Sequence, residues 1–251
     1  MSSITSPDAA LEASGITKSY GGTAVLARIN LSVPSGAACG LVGINGAGKT
    51  TLIKCMLDFC SVDSGALKIF GVSHTSTVAR ERIAFLPEHF LPPHYLTCRE
   101  FMELTTSLSG SRLDDDRIHQ VFDELHLDHA SLRRPVRKLS KGMSQKLGLA
   151  ACFLADRDLY VLDEPMSGLD PASRMAVKTV LARLNAEGRT LFFTSHVLAD
   201  VEELCSSIAV LDCGKIRFQG APRELCERFS EPHLERAFMQ CIHVRDRAVA
   251  A

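Results

Sequence analysis

Gly43-Ile44-Asn45-Gly46-Ala47-Gly48-Lys49-Thr50 decides how the rest of the chain is read. One glycine, four free positions and then Gly-Lys-Thr is the spacing of a phosphate-binding loop. The flanks agree. Cys39-Gly40-Leu41-Val42 is a short apolar run that reads as a buried strand, and Thr51-Leu52-Ile53-Lys54-Cys55-Met56-Leu57 opens as a helix. A strand–turn–helix of this kind aims successive backbone N–H groups into one hollow at the positive end of the helix dipole, where a polyphosphate is stabilised. Gly43, Gly46 and Gly48 are expected to take φ > 0 and to let the backbone approach phosphate with no Cβ in the way. Lys49 would reach the β- and γ-phosphates and the Thr50 hydroxyl would ligate Mg²⁺. Asn45 and Thr51 complete the expected nucleotide-binding set.

Composition bounds the partners. With 251 residues, 46% hydrophobic and 23% charged, the chain suits one large domain or a core plus a subdomain. A formal net charge of −1 gives no global attraction to nucleic acid or to an anionic membrane, so no nucleic-acid partner is expected. The longest apolar stretch, Leu147 to Ala155, stops at Asp156-Arg157, far short of a bilayer span. Asp8 and Glu12 stand where a secretory leader would be basic and then apolar. The nine cysteines form no Cys-x-x-Cys pair, and Cys39, Cys55 and Cys152 sit in apolar runs. Free thiols in a reducing, cytosolic compartment are the expectation.

Residues 1–10 read as a loose tail, and 230–251 carry little pattern. Between them, Ile29-Asn30-Leu31-Ser32-Val33 alternates and closes on Pro34-Ser35-Gly36, the sign of a half-exposed antiparallel strand. Ala66–Phe70 repeats that pattern, and Ile83–Leu86 is a buried strand ended by Pro87. From Thr97 to about Ala155 the period turns helical. Thr97 and Glu100 predict a capping box, and Asp114-Asp115-Asp116 favours a helix N-terminus. Beyond it, strands and helices alternate to Phe229, which implies a mainly parallel sheet between helices.

Leu159-Tyr160-Val161-Leu162-Asp163-Glu164-Pro165 is the second strong signal. An apolar strand delivers two carboxylates at its C-terminal end, where ligands bind in α/β sheets. Asp163 is expected in the Mg²⁺ shell, and Glu164 as the group that polarises an attacking water.

Taken with these, further short motifs stand in order, and over residues 11–229 the chain resembles the ATP-binding cassette ATPases. Tyr20, in Lys18-Ser19-Tyr20-Gly21-Gly22, matches the aromatic that stacks on adenine. Leu139-Ser140-Lys141-Gly142-Met143 matches the family signature. Ser167-Gly168-Leu169-Asp170 matches the loop that communicates between subunits, and His196 matches the switch histidine. The resemblance implies a P-loop NTPase (RecA-like) core with a parallel sheet, an N-terminal antiparallel β subdomain and an inserted α-helical subdomain at about 97–155. It also implies a head-to-tail dimer, with itself or with a like subunit, in which Ser140, Lys141, Gly142 and Asp170 serve the nucleotide at the interface. His196 and Lys49 would join Glu164 in hydrolysing MgATP. The implied partner is a separate transmembrane permease, which puts the chain on the cytoplasmic face of a membrane.

Two motifs depart from the family pattern. Lys141 and Met143 replace residues of the usual Leu-Ser-Gly-Gly-Gln, and Glu88 stands where the family has a glutamine that touches Mg²⁺. These departures resemble exporters with separate permease chains, with Phe90, Leu91, Tyr95 and Leu96 as a candidate contact patch. The alternative is a soluble cassette ATPase of the iron–sulfur assembly type. Arg133–Lys138 reads as a solvated basic loop, and His126 and His129 as surface residues.

Overall fold

The computed structural model describes residues 9–110 and 114–248. In chain order, β1 (Ala9–Tyr20) and β2 (Thr23–Pro34) form a hairpin, and β3 (Ala38–Val42) runs into the glycine-rich loop and α1 (Lys49–Met56). Next come β4 (Ser64–Ile69), β5 (Val72–Ser73), the single-turn α2 (Thr77–Arg80) and β6 (Ile83–Leu86). Helices α3 (Cys98–Leu108), α4 (Asp115–Glu124) and α5 (Lys141–Ala155) follow. The last third alternates: β7 (Leu159–Leu162), α6 (Pro171–Ala186), β8 (Thr190–Thr194), α7 (Leu198–Leu204) and β9 (Ser207–Asp212). It closes with β10 (Lys215–Gly220), α8 (Pro222–Phe229) and α9 (Leu234–Ala248).

These elements build two sheets. One is antiparallel, in the order β2-β1-β4-β5; the other runs β10-β9-β3-β8-β7-β6 and is parallel except for the β9–β10 hairpin. The central strands explain their own sequences. β3, β7 and β8 are buried along their whole length, and successive side chains feed opposite cores. Ala38 and Val42 enter the core shared with the helices, while Cys39 and Leu41 enter the one shared with the antiparallel sheet. Tyr160 and Leu162 divide from Leu159 and Val161 in the same way. A strand covered on both faces needs a continuous apolar run, whereas β1 and β2 keep one wet face and alternate. Leu52, Ile53, Cys55 and Met56 place α1 in the second core, so the helix that starts at Lys49 is clamped between the two sheets.

Helix starts follow the short-range chemistry read above. Thr97 Oγ1 accepts the Glu100 N–H at 3.2 Å while Glu100 Oε2 accepts the Thr97 N–H at 2.7 Å, a complete capping box for α3. Asp114 caps α4 by accepting from Asp116 N at 3.1 Å. Gly148 lets α5 lie against β6, since a Cβ there would stand 2.6 Å from Leu86 Cδ1 and 3.0 Å from Phe90.

Two expectations need correction, and a third falls almost wholly outside the described residues. The weakly patterned C-terminal tail expected at 230–251 holds a packed helix: α9 lies on α7, α8 and β9–β10, with Leu234 and Ala237 fully buried. The tail expected at 1–10 lies outside the described residues except for Ala9 and Ala10, which begin β1. Phe90 and Leu96 are no part of an exposed patch. They pack on the helical core, Phe90 edge-on to Phe101 at 5.6 Å, whereas Leu91 and Tyr95 stand 79% and 82% exposed. Among the described residues no helix is long and apolar enough to cross a membrane.

Candidate active site

The loop after β3 forms one wall of a cavity of about 690 Å³. Asn45, Gly46, Gly48, Lys49, Thr50 and Thr51 line it from one side. Asp163 and Glu164 at the end of β7, Glu88 after β6 and His196 after β8 line it from the other. Parallel strands with a common direction bring all these loops to one edge of the sheet, the usual place for a ligand in such a fold.

The glycines act by two different means. Gly46 and Gly48 have φ of 81° and 112°, where a side chain is strained. Gly43 does not take positive φ, contrary to expectation. It is required for space, because a Cβ would lie 2.3 Å from the Leu211 carbonyl oxygen on β9. Lys49 Nζ donates to the carbonyls of Gly43 at 2.6 Å and Ile44 at 3.3 Å, so its ammonium is held across the loop.

Asp163 is only 3% exposed, and a carboxylate so buried needs donors. It has two: Thr194 Oγ1 donates to Oδ1 at 2.6 Å and Thr50 Oγ1 to Oδ2 at 3.2 Å. Glu164 follows with φ of 50°, unusual for a side chain of its size. That turn is braced from both ends. The Glu164 N–H donates to Thr194 Oγ1 at 2.8 Å, and Gln145 Nε2 donates to the carbonyls of Pro165 at 3.2 Å and Glu164 at 3.5 Å. His196 Nδ1 lies 2.7 Å from Glu164 Oε2, and the histidine is largely solvent-exposed. Thr194, Val25 and Ser167 were not singled out from the sequence. Ser167 belongs to a quoted motif and Thr194 lies two residues before His196, but only the fold reveals that the Thr194 hydroxyl joins both carboxylate residues.

The oxygen-only set of the Thr50 hydroxyl and the Asp163 carboxylate fits a hard divalent cation such as Mg²⁺. Among the described residues no three His, Cys, Asp or Glu side chains form a ready metal cluster, and phosphate and water would complete the shell.

Other expected residues lie away from this cavity. Ser140 caps α5, accepting from Met143 N at 3.2 Å, which leaves its own O–H free to donate. Ser140, Lys141 and Asp170 are exposed. Lys141 runs beside Gly168, so signature and communicating loop touch within one chain. Asp170 caps α6 through Ser173, whose hydroxyl and N–H hold its carboxyl below the ordinary value. Tyr20 is half exposed at the β1–β2 turn. The neighbouring Cys60 side chain is the largest cause raising its hydroxyl to about 12. Lys146, buried against α4, donates to the His126 carbonyl at 2.8 Å, and burial lowers its pKa.

Comparison with known proteins agrees with this geometry. The family model described as ABC transporter matches residues 26–167. An uncharacterised ABC transporter ATP-binding protein of Synechocystis sp. is 36% identical over 203 residues, 80% of this chain and 57% of that one. The Nod factor export ATP-binding protein I of Sinorhizobium fredii is 32% identical over 224 residues, 88% and 65% respectively. The chain therefore spans about three-fifths of the length of these relatives. A solved structure of an ATP binding subunit of an ABC transporter superposes with a TM-score of 0.85 at 27% identity, covering 92% of this chain and 98% of that one. A phosphate loop facing a braced Asp-Glu pair and a histidine, on a fold shared with that subunit, means that the chain belongs to the ABC transporter family as an ATP-binding cassette ATPase.

Proposed function

We propose that the chain binds and hydrolyses MgATP between two cassettes and drives a separate transmembrane permease, in the direction of export. The observation that carries the proposal is the 2.7 Å contact of His196 with Glu164 at a cavity that also contains Lys49 and Thr50. In this reading the loop N–H groups and Lys49 hold the β- and γ-phosphates, with the ammonium leaving the Gly43 carbonyl for phosphate oxygen. Thr50 and Asp163, with Glu88 beside them, would hold Mg²⁺, which when bound neutralises charge that develops on the phosphate oxygens. Glu164 accepts a proton from the attacking water as its oxygen bonds to the γ-phosphorus and the bond to ADP breaks. His196 orients Glu164 and can reach the same phosphate.

One cassette is incomplete on this account. The free O–H of Ser140 and the backbone of Gly142 lie at a helix N-terminus outside the cavity, suited to a γ-phosphate held by another copy. Lys141 adds a positive charge there. The permease would meet the groove between β6, α3 and α5, which is about 790 Å³ and rimmed by exposed Leu108; Leu91 and Tyr95 extend the apolar surface. That partner would put the chain at the cytoplasmic face of a membrane. Export leans on the departures at Glu88 and Lys141 and on the Nod factor relative.

Glu164→Gln tests the scheme. It keeps the side-chain size but loses the base, so hydrolysis should fall roughly 10²- to 10⁴-fold while ATP-dependent dimers accumulate in size-exclusion chromatography. A variant that hydrolyses ATP at the parent rate, or stays monomeric with ATP, refutes the reading.

A further inference from the structure

His196 stands on a short bridge between β8 and α7, which begins two residues later. The side chain of His196 is 64% exposed, and the 2.7 Å contact with Glu164 is the one hydrogen bond its ring makes among the described residues. The aim of the imidazole is therefore set by the backbone beneath it. That backbone is bonded into the start of α7. Ser195 Oγ accepts the Val197 N–H at 3.0 Å, and the Asp200 N–H donates to the Val197 carbonyl at 3.2 Å. Wherever the first turn of α7 lies, His196 follows.

That turn carries a buried charge. Asp200 is 5% exposed, and a carboxylate so buried needs a counter-charge. Two cations of α6 supply it: the Arg174 guanidinium pairs with Asp200 Oδ2, and Lys178, one turn further on, lies 3.8 Å from Oδ1 while pairing with Glu203. Arg174 is itself firmly based. It stands in the first turn of α6, where its N–H donates to the Asp170 carbonyl at 2.9 Å and Ser173 beside it holds the Asp170 carboxylate at 2.7 and 3.0 Å. Elsewhere α7 is held by apolar contact. Leu198 and Val201 are buried in the core, and a Cβ on Gly40 of β3 would stand 2.5 Å from Val201 Cγ1. Apolar contact is non-directional and keeps the helix down without setting its angle, whereas a charge-assisted hydrogen bond has a direction.

We infer that Arg174 is a positioning residue for hydrolysis: by pairing with Asp200 it sets the angle at which the start of α7 presents His196 to Glu164. Arg174 does not line the cavity that holds Lys49, Thr50 and the two carboxylates, so it acts through another group and not on the nucleotide. Loss of the pair lets the first turn of α7 relax, and the imidazole no longer meets Glu164 at hydrogen-bond distance for most of the time. This role rests on the reading of His196 as the group that orients Glu164.

The test compares Arg174→Gln, His196→Ala and the double variant in the full-length chain. Lys178 still faces Asp200 in Arg174→Gln, so the buried carboxylate keeps a counter-charge. Single-turnover hydrolysis of radiolabelled ATP, followed long enough to resolve residual rates, should be about tenfold slower in Arg174→Gln. The KM for ATP should stay that of the parent, because the phosphate loop and Tyr20 are untouched. In the His196→Ala background the same substitution should slow hydrolysis no further, since its effect passes through the imidazole. A pair that only stabilises the fold would leave the rate of the folded protein alone or act equally in both backgrounds. Arg174→Gln that hydrolyses ATP at the parent rate, raises KM, or slows His196→Ala as much as it slows the parent therefore overturns the inference. His196→Ala at the parent rate condemns instead the reading of His196, and this role falls with it. Should Arg174→Gln not fold, Asp200→Asn, which leaves no charge buried at that place, is read by the same criteria.

Discussion

Thr194→Val is the sharpest test of how the site is built. Thr194 is fully buried, and its hydroxyl donates to Asp163 at 2.6 Å while accepting the Glu164 N–H at 2.8 Å. Valine keeps the volume and the β-branch, so packing is preserved and only the two hydrogen bonds are lost. Removing a donor from a buried carboxylate costs about 1.5–3 kcal/mol, and orphaning a backbone N–H costs about 1–3 kcal/mol. Asp163 still receives Thr50 at 3.2 Å, and water can reach part of the turn, so a total near 3 kcal/mol is expected. For a domain of this size that is a fall in melting temperature of roughly 6–12 °C. Hydrolysis should fall further than stability explains, on the order of ten- to a hundredfold at a temperature where both proteins are folded, because the φ of Glu164 loses its brace. Thr194→Ser keeps the hydroxyl and should restore most of the rate. Differential scanning calorimetry and a phosphate-release assay measure the two effects separately. If Thr194→Val melts with the parent, the buried hydrogen bonds are not structural; if it melts early yet hydrolyses ATP normally, the positioning argument is wrong.

Glu88→Gln should retain ATP binding and require more Mg²⁺ for half-maximal hydrolysis, read from a Mg²⁺ titration; an unaltered requirement excludes coordination by this exposed side chain. Gly148→Val should separate α5 from β6 through contact with Leu86 and Phe90, costing about 1–3 kcal/mol in urea unfolding. Acid should weaken the helix caps. The Glu100 carboxyl is held low first by the Thr97 N–H, and that of Asp170 first by the Ser173 hydroxyl. Both therefore add stability above the unfolded carboxylate range near about pH 4, lost as pH falls through their depressed folded values. Glu100→Gln should make the decline in melting temperature between roughly pH 5 and pH 3 shallower than in the parent.

What was legible in the sequence is short in range. A capping box is written within four residues, and the Thr97–Glu100 pair forms as read. The strands before Gly43 and Asp163 declare themselves as apolar runs because both of their faces are covered. What was missed depends on distant partners. Gly43 is glycine because β9 passes over it, 168 positions later in the chain at Leu211, and its own φ carries no sign of that. Helix α9 escaped notice because two of its buried residues, Ala237 and Cys241, are small, and their burial is supplied only by the distant α7 and β9–β10 and by α8. Tyr20 was assigned by resemblance, but the Lys18 ammonium 5.2 Å from its ring is held in turn by Asp63, which lies beyond α1.

The same contrast bears on how hydrolysis could answer to a second cassette. Ser140, at the start of α5, faces outward, and five residues on, Gln145 of that helix donates to the carbonyls on either side of the Glu164–Pro165 bond. A helix holds those two points at a fixed distance, so a shift at Ser140 must either bend α5 or move its bonds to the turn. Bending is resisted by Gly148, pressed on Leu86 and Phe90. Glu164 has a strained φ, which makes the turn the softer end. A γ-phosphate that engaged Ser140 of one copy would therefore reach that copy's own Glu164 through α5, without any change in the phosphate loop itself.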